Sequence, residues 1–265
     1  MILPPLLGML DQDRFFIYAA CDQEYFDDFG SALVNSVLRN TAFGIHLHLY
    51  NPTAEQIQYC RSQDRVSITY EHAPLDQFAQ AAEQWTAVSA DPELADRRRR
   101  IITAMGKSND TSIQQRIQRT YFASARFVRL QQSIRPTSRL LAIDIDAVVR
   151  KDLPALDNSQ DFYIHYISGR RARYLAGGLY FTGNTNGYQF LKDYASVLKT
   201  NIESDNLYWG IDQDVLVDLV PRYHWGELPM EYIDWEMQDR SYIWTAKGTR
   251  KDLAIFINEQ NQYKS

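Results

Sequence analysis

Shortages in this chain exclude several classes of protein. Cysteine occurs only as Cys21 and Cys60. That is too few for a disulfide framework or a cysteine-rich zinc site, so a reducing, cytoplasmic compartment is the expectation. No apolar run reaches the roughly 18 residues a membrane span needs, so no transmembrane segment is expected. Met1 to Leu10 is apolar, but it holds Pro4-Pro5 and lacks the basic residue and cleavage site of a signal peptide; it reads as a packed terminal segment. Twelve glycines and nine prolines in 265 residues leave no collagen-like or linker composition, and no repeat or low-complexity stretch interrupts the chain. Positive charge is in deficit, with 28 Lys and Arg against 33 Asp and Glu, which argues against a nucleic-acid partner. Gly183-Asn184-Thr185-Asn186-Gly187 lacks the Lys-Ser/Thr of a phosphate loop and reads as a turn, and no dinucleotide fingerprint follows the first apolar strand.

What remains is a chain 45% hydrophobic and 23% charged, long enough to bury a large core in one continuous α/β unit. Residues 14–20 form a nearly unbroken apolar run, as in a strand covered on both faces. Phe29, Leu33 and Val37 recur at helical spacing on a helix that ends near Asn40. Ile45–Tyr50 reads as a second strand, Thr53 as the N-cap of a helix running to about Ser62, and Val66–Tyr70 as a third strand. Such β-α-β-α-β alternation predicts a parallel sheet with ligands at the carboxyl ends of its strands, which directs attention to Ala20–Tyr25. From Asp91 to about Ile134 the pattern is helical, interrupted at Gly106–Asp110, with Ser112 as a second N-cap and Ile113, Ile117, Tyr121, Ala125 and Val128 as the apolar side. The run Arg97–Arg100 reads as a solvated helix face. His46 and His48 share one side of the second strand and read as satisfied histidines; the polar tail from Asn258 is expected to fray.

The apolar strand Leu140–Ile143 runs directly into Asp144-Ile145-Asp146, followed by Ala147-Val148-Val149. Two carboxylates one residue apart in so apolar a stretch are costly to bury unless a cation or ligand compensates them. Hard oxygen ligands suit Mg2+ or Mn2+, with Asp144 and Asp146 as the metal pair. Read without a cation, one Asp caps the following turn and the other is solvated at the strand end.

The order of pieces resembles that of GT-A fold glycosyltransferases, particularly the glycogenin and bacterial galactosyltransferase type. The resemblance is distributed over most of the chain. The turn Ala20-Cys21-Asp22-Gln23-Glu24-Tyr25 is similar to the family's nucleoside cradle, with Ser36 further along the next helix, and Tyr121, Ala125 and Arg126 stand in the order of a helix whose Arg reaches the donor. Asp144-Ile145-Asp146 looks like the family's metal motif, and Leu175-Ala176-Gly177-Gly178 resembles a strand lining the sugar pocket, with Leu175 where the family has Asn. Asp212-Gln213-Asp214 resembles the segment beside the transferred sugar. Lys247-Gly248-Thr249-Arg250-Lys251 resembles a terminal turn closing over the diphosphate, and Thr245 stands where the family has a metal-binding His.

The resemblance implies a mixed α/β, Rossmann-like sheet flanked by helices in a single GT-A catalytic domain over 1–265, nucleotide-binding up to about 146 and sugar- and acceptor-binding beyond it. It implies a hexosyltransferase-type enzyme that uses a nucleoside diphosphate sugar, UDP-sugar first, and Mn2+ or Mg2+, with retention at the anomeric carbon. Asp212, Gln213 and Arg126 would be catalytic; Ala20, Asp22, Tyr25, Arg126, Asp144, Ile145, Gly177, Gly178, Gly248 and Lys251 would bind the nucleotide sugar. The acceptor, whether glycan, lipid, protein or small molecule, is not specified. An inverting enzyme would need a base, for which Glu227, Glu231 and Asp234 are available in the aromatic segment Tyr223–Trp244, itself suited to stacking on sugars. Two other readings stand beside this one. In a haloacid-dehalogenase-like phosphatase, Asp144 would be the nucleophile, Asp146 the general acid, and Asp214 and Asp218 a magnesium pair. The other reading is a non-catalytic nucleotide-sugar-binding protein on the same fold.

Overall fold

The computed structural model describes residues 1–11, 14–87, 112–168, 173–204 and 206–264, with the side chains of 85–87 excepted. Arg97–Arg100 and Gly106–Asp110 lie outside the described residues. In chain order the first half comprises β1 (Leu7–Met9), β2 (Phe16–Asp22), the helical turn α1 (Gln23–Tyr25), α2 (Ser31–Asn40), β3 (Gly44–Tyr50), α3 (Ala54–Arg61), β4 (Val66–Glu71), α4 (Leu75–Ala87) and α5 (Ile113–Ser133). Then follow β5 (Leu140–Ile143), β6 (Ala147–Val149), β7 (Phe162–Ile167), β8 (Arg173–Phe181), α6 (Thr185–Glu203), α7 (Ile211–Leu219), β9 (Trp225–Glu227), β10 (Ile243–Thr245), a 3-10 turn at Gly248–Asp252 and α8 (Ala254–Asn261).

Among the described residues, eight strands form one mixed sheet in the order β1-β4-β3-β2-β5-β8-β7-β9. Within it β4, β3, β2 and β5 are parallel neighbours, β8 runs against both β5 and β7, β9 is parallel to β7, and β1 is antiparallel at the other edge. The sheet passes without a break from one side of residue 146 to the other. Strand alternation sorts side chains into two layers. Phe16, Tyr18, Leu140 and Ala142 face the core shared with α5, α6 and α7, while Ile17, Ala19, Leu141 and Ile143 face the core shared with α2. Because both faces are covered, β2 and β5 read as continuous apolar runs.

Thr53 and Ser112 cap α3 and α5, each through a reciprocal capping box with the Gln three residues later. Ile117, Tyr121, Ala125 and Val128 are the buried stripe of α5. His46 and His48 lie on one side of β3, fully buried, with Ser67 and Thr69 hydroxyls against their ring nitrogens at 2.9–3.0 Å. Beside them Glu71 is ion-paired with Arg129 and accepts the Tyr121 hydroxyl at 2.6 Å.

Three expectations are corrected. The first apolar strand spans Phe16–Asp22 rather than 14–20, because β2 stays paired with β3 as far as Tyr50. The N-terminal segment contributes an edge strand, β1, with Leu7 and Met9 exposed; only its flanks pack, through Met1, Leu3 and Leu10. As far as Tyr263 the C-terminal tail is packed on the body of the protein and not frayed. Phe256 and Gln260 of α8 are buried, Gln260 Nε2 donates to the Asp28 carbonyl, and Asn35 and Arg39 of α2 donate to the Tyr263 and Gln262 carbonyls. A polar tail is held here by side-chain-to-backbone hydrogen bonds, which a hydropathy pattern does not register.

Candidate active site

The parallel strands β2 and β5 end side by side, and a cleft of about 440 Å³ opens beyond their carboxyl ends. On the β2 side it is lined by Ala20, Cys21, Asp22 and Tyr25. Asp22 caps the turn α1, accepting the Tyr25 amide at 3.0 Å, and both residues line the cleft. On the β5 side, Asp144, Ile145 and Asp146 form the short link between β5 and β6. Strand β6 pairs with β10, Ala147 opposite Thr245, and the Ala246 amide donates to the Asp146 carbonyl at 2.8 Å. That two-stranded unit brings Lys247, Gly248 and Lys251 to the two carboxylates from a distant part of the chain. Gly248 takes φ +66° to make the turn.

Ion pairs then connect the elements. Lys251 Nζ lies 2.8 Å from Asp146 Oδ2, donates to Tyr25 Oη at 3.1 Å, and sits 4.3 Å over the Tyr25 ring. Arg126 of α5 donates to Asp144 Oδ1 at 2.5 Å and reaches Asp212 Oδ2 at 3.8 Å. Asp212, in the first turn of α7, also accepts the Gln213 amide at 3.0 Å, and its carbonyl accepts the Tyr194 hydroxyl. Burial raises the Asp212 carboxyl against the pull of Arg126. Burial and the Asp144 charge likewise raise Asp146 against Lys251, whereas Asp144, also pushed up by burial, is held below the usual range by Arg126. The side chain of Asp144 is 48% exposed to the cleft and that of Asp146 only 12%. Four carboxylates, Asp22, Asp144, Asp146 and Asp212, face four cations, Arg119, Arg126, Lys247 and Lys251, so the lining is formally neutral.

Of the residues expected to be catalytic, to bind the nucleotide sugar or to hold the metal, all but Gly178 line this cleft. Successive residues Ile164 and His165 of β7 oppose Leu179 and Leu175 of β8, so the Ala176–Gly178 segment bulges away from its neighbour. Gly177 turns toward the cleft, where a Cβ would collide with the Asp144 carboxylate; Gly178 turns the other way, where a Cβ would meet Ile233 at 2.7 Å. Gly178 is therefore a packing residue. Tyr121 and Ser36 are also elsewhere, the first on Glu71 and the second bonded to the Val149 amide. Arg250 is exposed outside the cleft.

None of Glu227, Glu231 and Asp234 lines the cleft. Asp234 is buried and accepts the Glu236 and Gln238 amides and the Ser241 hydroxyl. Of the aromatics in Tyr223–Trp244 only Trp235 belongs to the lining, and the other rings are packed elsewhere. Asp214 and Asp218 are exposed and do not face Asp144. The cleft also holds residues not anticipated, including Arg119, Phe122, Ala123 and Trp209. Arg119, Phe122, Ala123 and Arg126 recur at i, i+3, i+4 and i+7, a second stripe of α5 beside its apolar one, and this spacing was the available signal.

No family model matches the chain, and no curated protein does. Solved structures do. The bifunctional glycosyltransferase WbbM aligns over 96% of this chain and 50% of its own length, with 14% identity and a TM-score of 0.54. The galactosyltransferase LgtC, in complex with donor and acceptor sugar analogues, aligns over 94% of this chain and 96% of its own, with 11% identity and a TM-score of 0.53. The chain has the GT-A fold. It spans about half of the WbbM chain and nearly all of LgtC. Within this GT-A fold, no helix among the described residues is long and apolar enough to cross a membrane.

Proposed function

We propose that the chain is a glycosyltransferase that moves a sugar from a nucleoside diphosphate sugar, with UDP-sugar the first choice, to an acceptor hydroxyl. The observation that carries this reading is the convergence of Asp144, Asp146, Arg126, Lys247 and Lys251 on one cleft at the carboxyl ends of parallel strands, in a GT-A fold. The difficult part of such a transfer is departure of a diphosphate as negative charge develops on it. Fixed positive groups aimed at developing charge usually supply the largest single catalytic term.

The donor set fits a hard divalent cation. Two carboxylates at one strand end, with remaining positions left to water and phosphate oxygens, is a usual way to hold Mg2+ or Mn2+. The balance of charge fits as well: the neutral lining becomes doubly negative when a diphosphate enters, and one divalent cation restores neutrality. Asp144 and Asp146 would hold the cation, which when bound supplies Lewis-acid stabilisation of the leaving diphosphate. Lys247, just before the turn Gly248–Asp252, and Lys251 within it would face the same phosphates. Arg126, fixed between Asp144 and Asp212, orients both carboxylates, and Asp212 and Gln213 position the donor sugar. With none of Glu227, Glu231 and Asp234 in the lining, a retaining course, which needs no base for the acceptor, is the better fit.

Incubation with a panel of nucleotide sugars and Mn2+ is expected to release free nucleoside diphosphate, slowly by donor hydrolysis and faster with a suitable acceptor. Turnover of simple phosphomonoesters with no action on any nucleotide sugar would contradict the reading.

A further inference from the structure

In the structure an ammonium group already lies on one of the two carboxylates assigned to the cation. Lys251 Nζ is 2.8 Å from Asp146 Oδ2, and so little of that carboxylate is open to the cleft that an incoming ion must displace the lysine. The other carboxylate is shared too, since Asp144 Oδ1 accepts from Arg126. Among the described residues no third His, Cys, Asp or Glu completes a ligand group. The protein alone therefore offers a cation two carboxylates, each already neutralised. Adding the ion alone would leave the lining doubly positive, and adding the diphosphate alone would leave it doubly negative; only the two together keep it neutral.

Lys251 has a second place to go. It projects from the 3-10 turn Gly248–Asp252, and its ammonium lies 4.3 Å over the Tyr25 ring and 5.2 Å over the Phe29 ring. The ammonium can leave Asp146 for a phosphate oxygen by rotation about its flexible four-carbon stem. We infer that Lys251 is a movable counter-ion: it closes the cation site of the free protein and moves to the diphosphate on donor binding, so that cation and nucleotide bind as a unit. The inference rests on the nucleotide-sugar reading above and adds to it an order of events.

The test is Mn2+ binding followed by electron paramagnetic resonance, with UDP as the nucleotide probe. The unaltered protein should bind Mn2+ at least about tenfold more tightly with saturating UDP than without it, about 1.4 kcal/mol of coupling. Lys251→Met should bind Mn2+ without UDP at least about tenfold more tightly than the unaltered protein does, and adding Asp146→Asn should abolish the gain. Lys251→Arg should keep the site closed. A thermal melt of each variant guards against misfolding. If Lys251→Met gains no Mn2+ affinity while the unaltered protein binds UDP and Mn2+ together, the counter-ion role is overturned and the transferase reading stands. If the unaltered protein binds Mn2+ equally well with and without UDP, the closed site is overturned. If UDP does not bind under any condition, the transferase reading fails and takes the inference with it.

Discussion

The Asp146→Asn protein is expected to release nucleoside diphosphate from its donor about 10³-fold more slowly than the unaltered chain, with its fold intact. The size of the effect follows from what the carboxylate does. It is one of two charges that would hold the cation, and it is the seat of Lys251 in the free cleft. Removing a single preorganised electrostatic contact at a site of developing charge costs about 10²–10³ in rate, and here a cation ligand goes with it. Stability should hardly change, because the Lys251 side chain is 23% exposed beside the cleft and its ammonium can turn to water when Asp146 is replaced. The checks are initial rates at saturating Mn2+ and a thermal melt. Full turnover with an unchanged melt would remove Asp146 from the mechanism.

The second large effect is on stability, at the buried cluster behind the cleft. Glu71→Gln is expected to destabilise the chain by about 3–5 kcal/mol, because it leaves the Arg129 guanidinium buried without its counter-charge. In a chain of this size that lowers the melting temperature by about 10 °C. Glu71→Leu combined with Arg129→Met should recover much of the loss, since an apolar pair removes the uncompensated charge.

The same melts, run against pH, have a definite sign. Burial holds His46 down at about 3 and lowers His48 in the same direction. The unfolded chain therefore takes up protons below about 6.5 that the folded chain refuses, and stability is lost as pH falls from about 6.5 toward 3, by about 1.4 kcal/mol per pH unit for each imidazole. Glu71, raised by burial against the pull of Arg129, works in the opposite sense above about 4.5. The Glu71→Gln protein should accordingly show the steeper acid slope. An acid slope no steeper than that of the unaltered chain would contradict this assignment.

The parts of the fold legible in the sequence were those set by local rules. Thr53 and Ser112 announce their helices because a capping box needs only four residues, and Leu140–Ile143 announces a buried strand because both its faces are apolar. The carboxylate pair stood out for the same reason, as two charges where the pattern called for none. What escaped depended on contacts between distant segments. The edge strand β1 exists through its pairing with β4, and the tail is ordered by donors on α2 more than two hundred residues away. Gly177 and Gly178 are equivalent in sequence, and only the bulge against β7 sends one toward Asp144 and the other toward Ile233. Arg119 and Phe122 do not stand out in the sequence because the neighbouring apolar stripe of α5 dominates its periodicity.

The central claim is that the cleft takes a nucleoside diphosphate together with a divalent cation, and differential thermal stability with UDP, with Mn2+, and with both tests it most directly. Binding of the pair predicts a melting temperature raised clearly by UDP and Mn2+ together, little by either alone, and by none of the three conditions in Asp146→Asn. An unchanged melt under all conditions, at millimolar UDP and Mn2+, would contradict it.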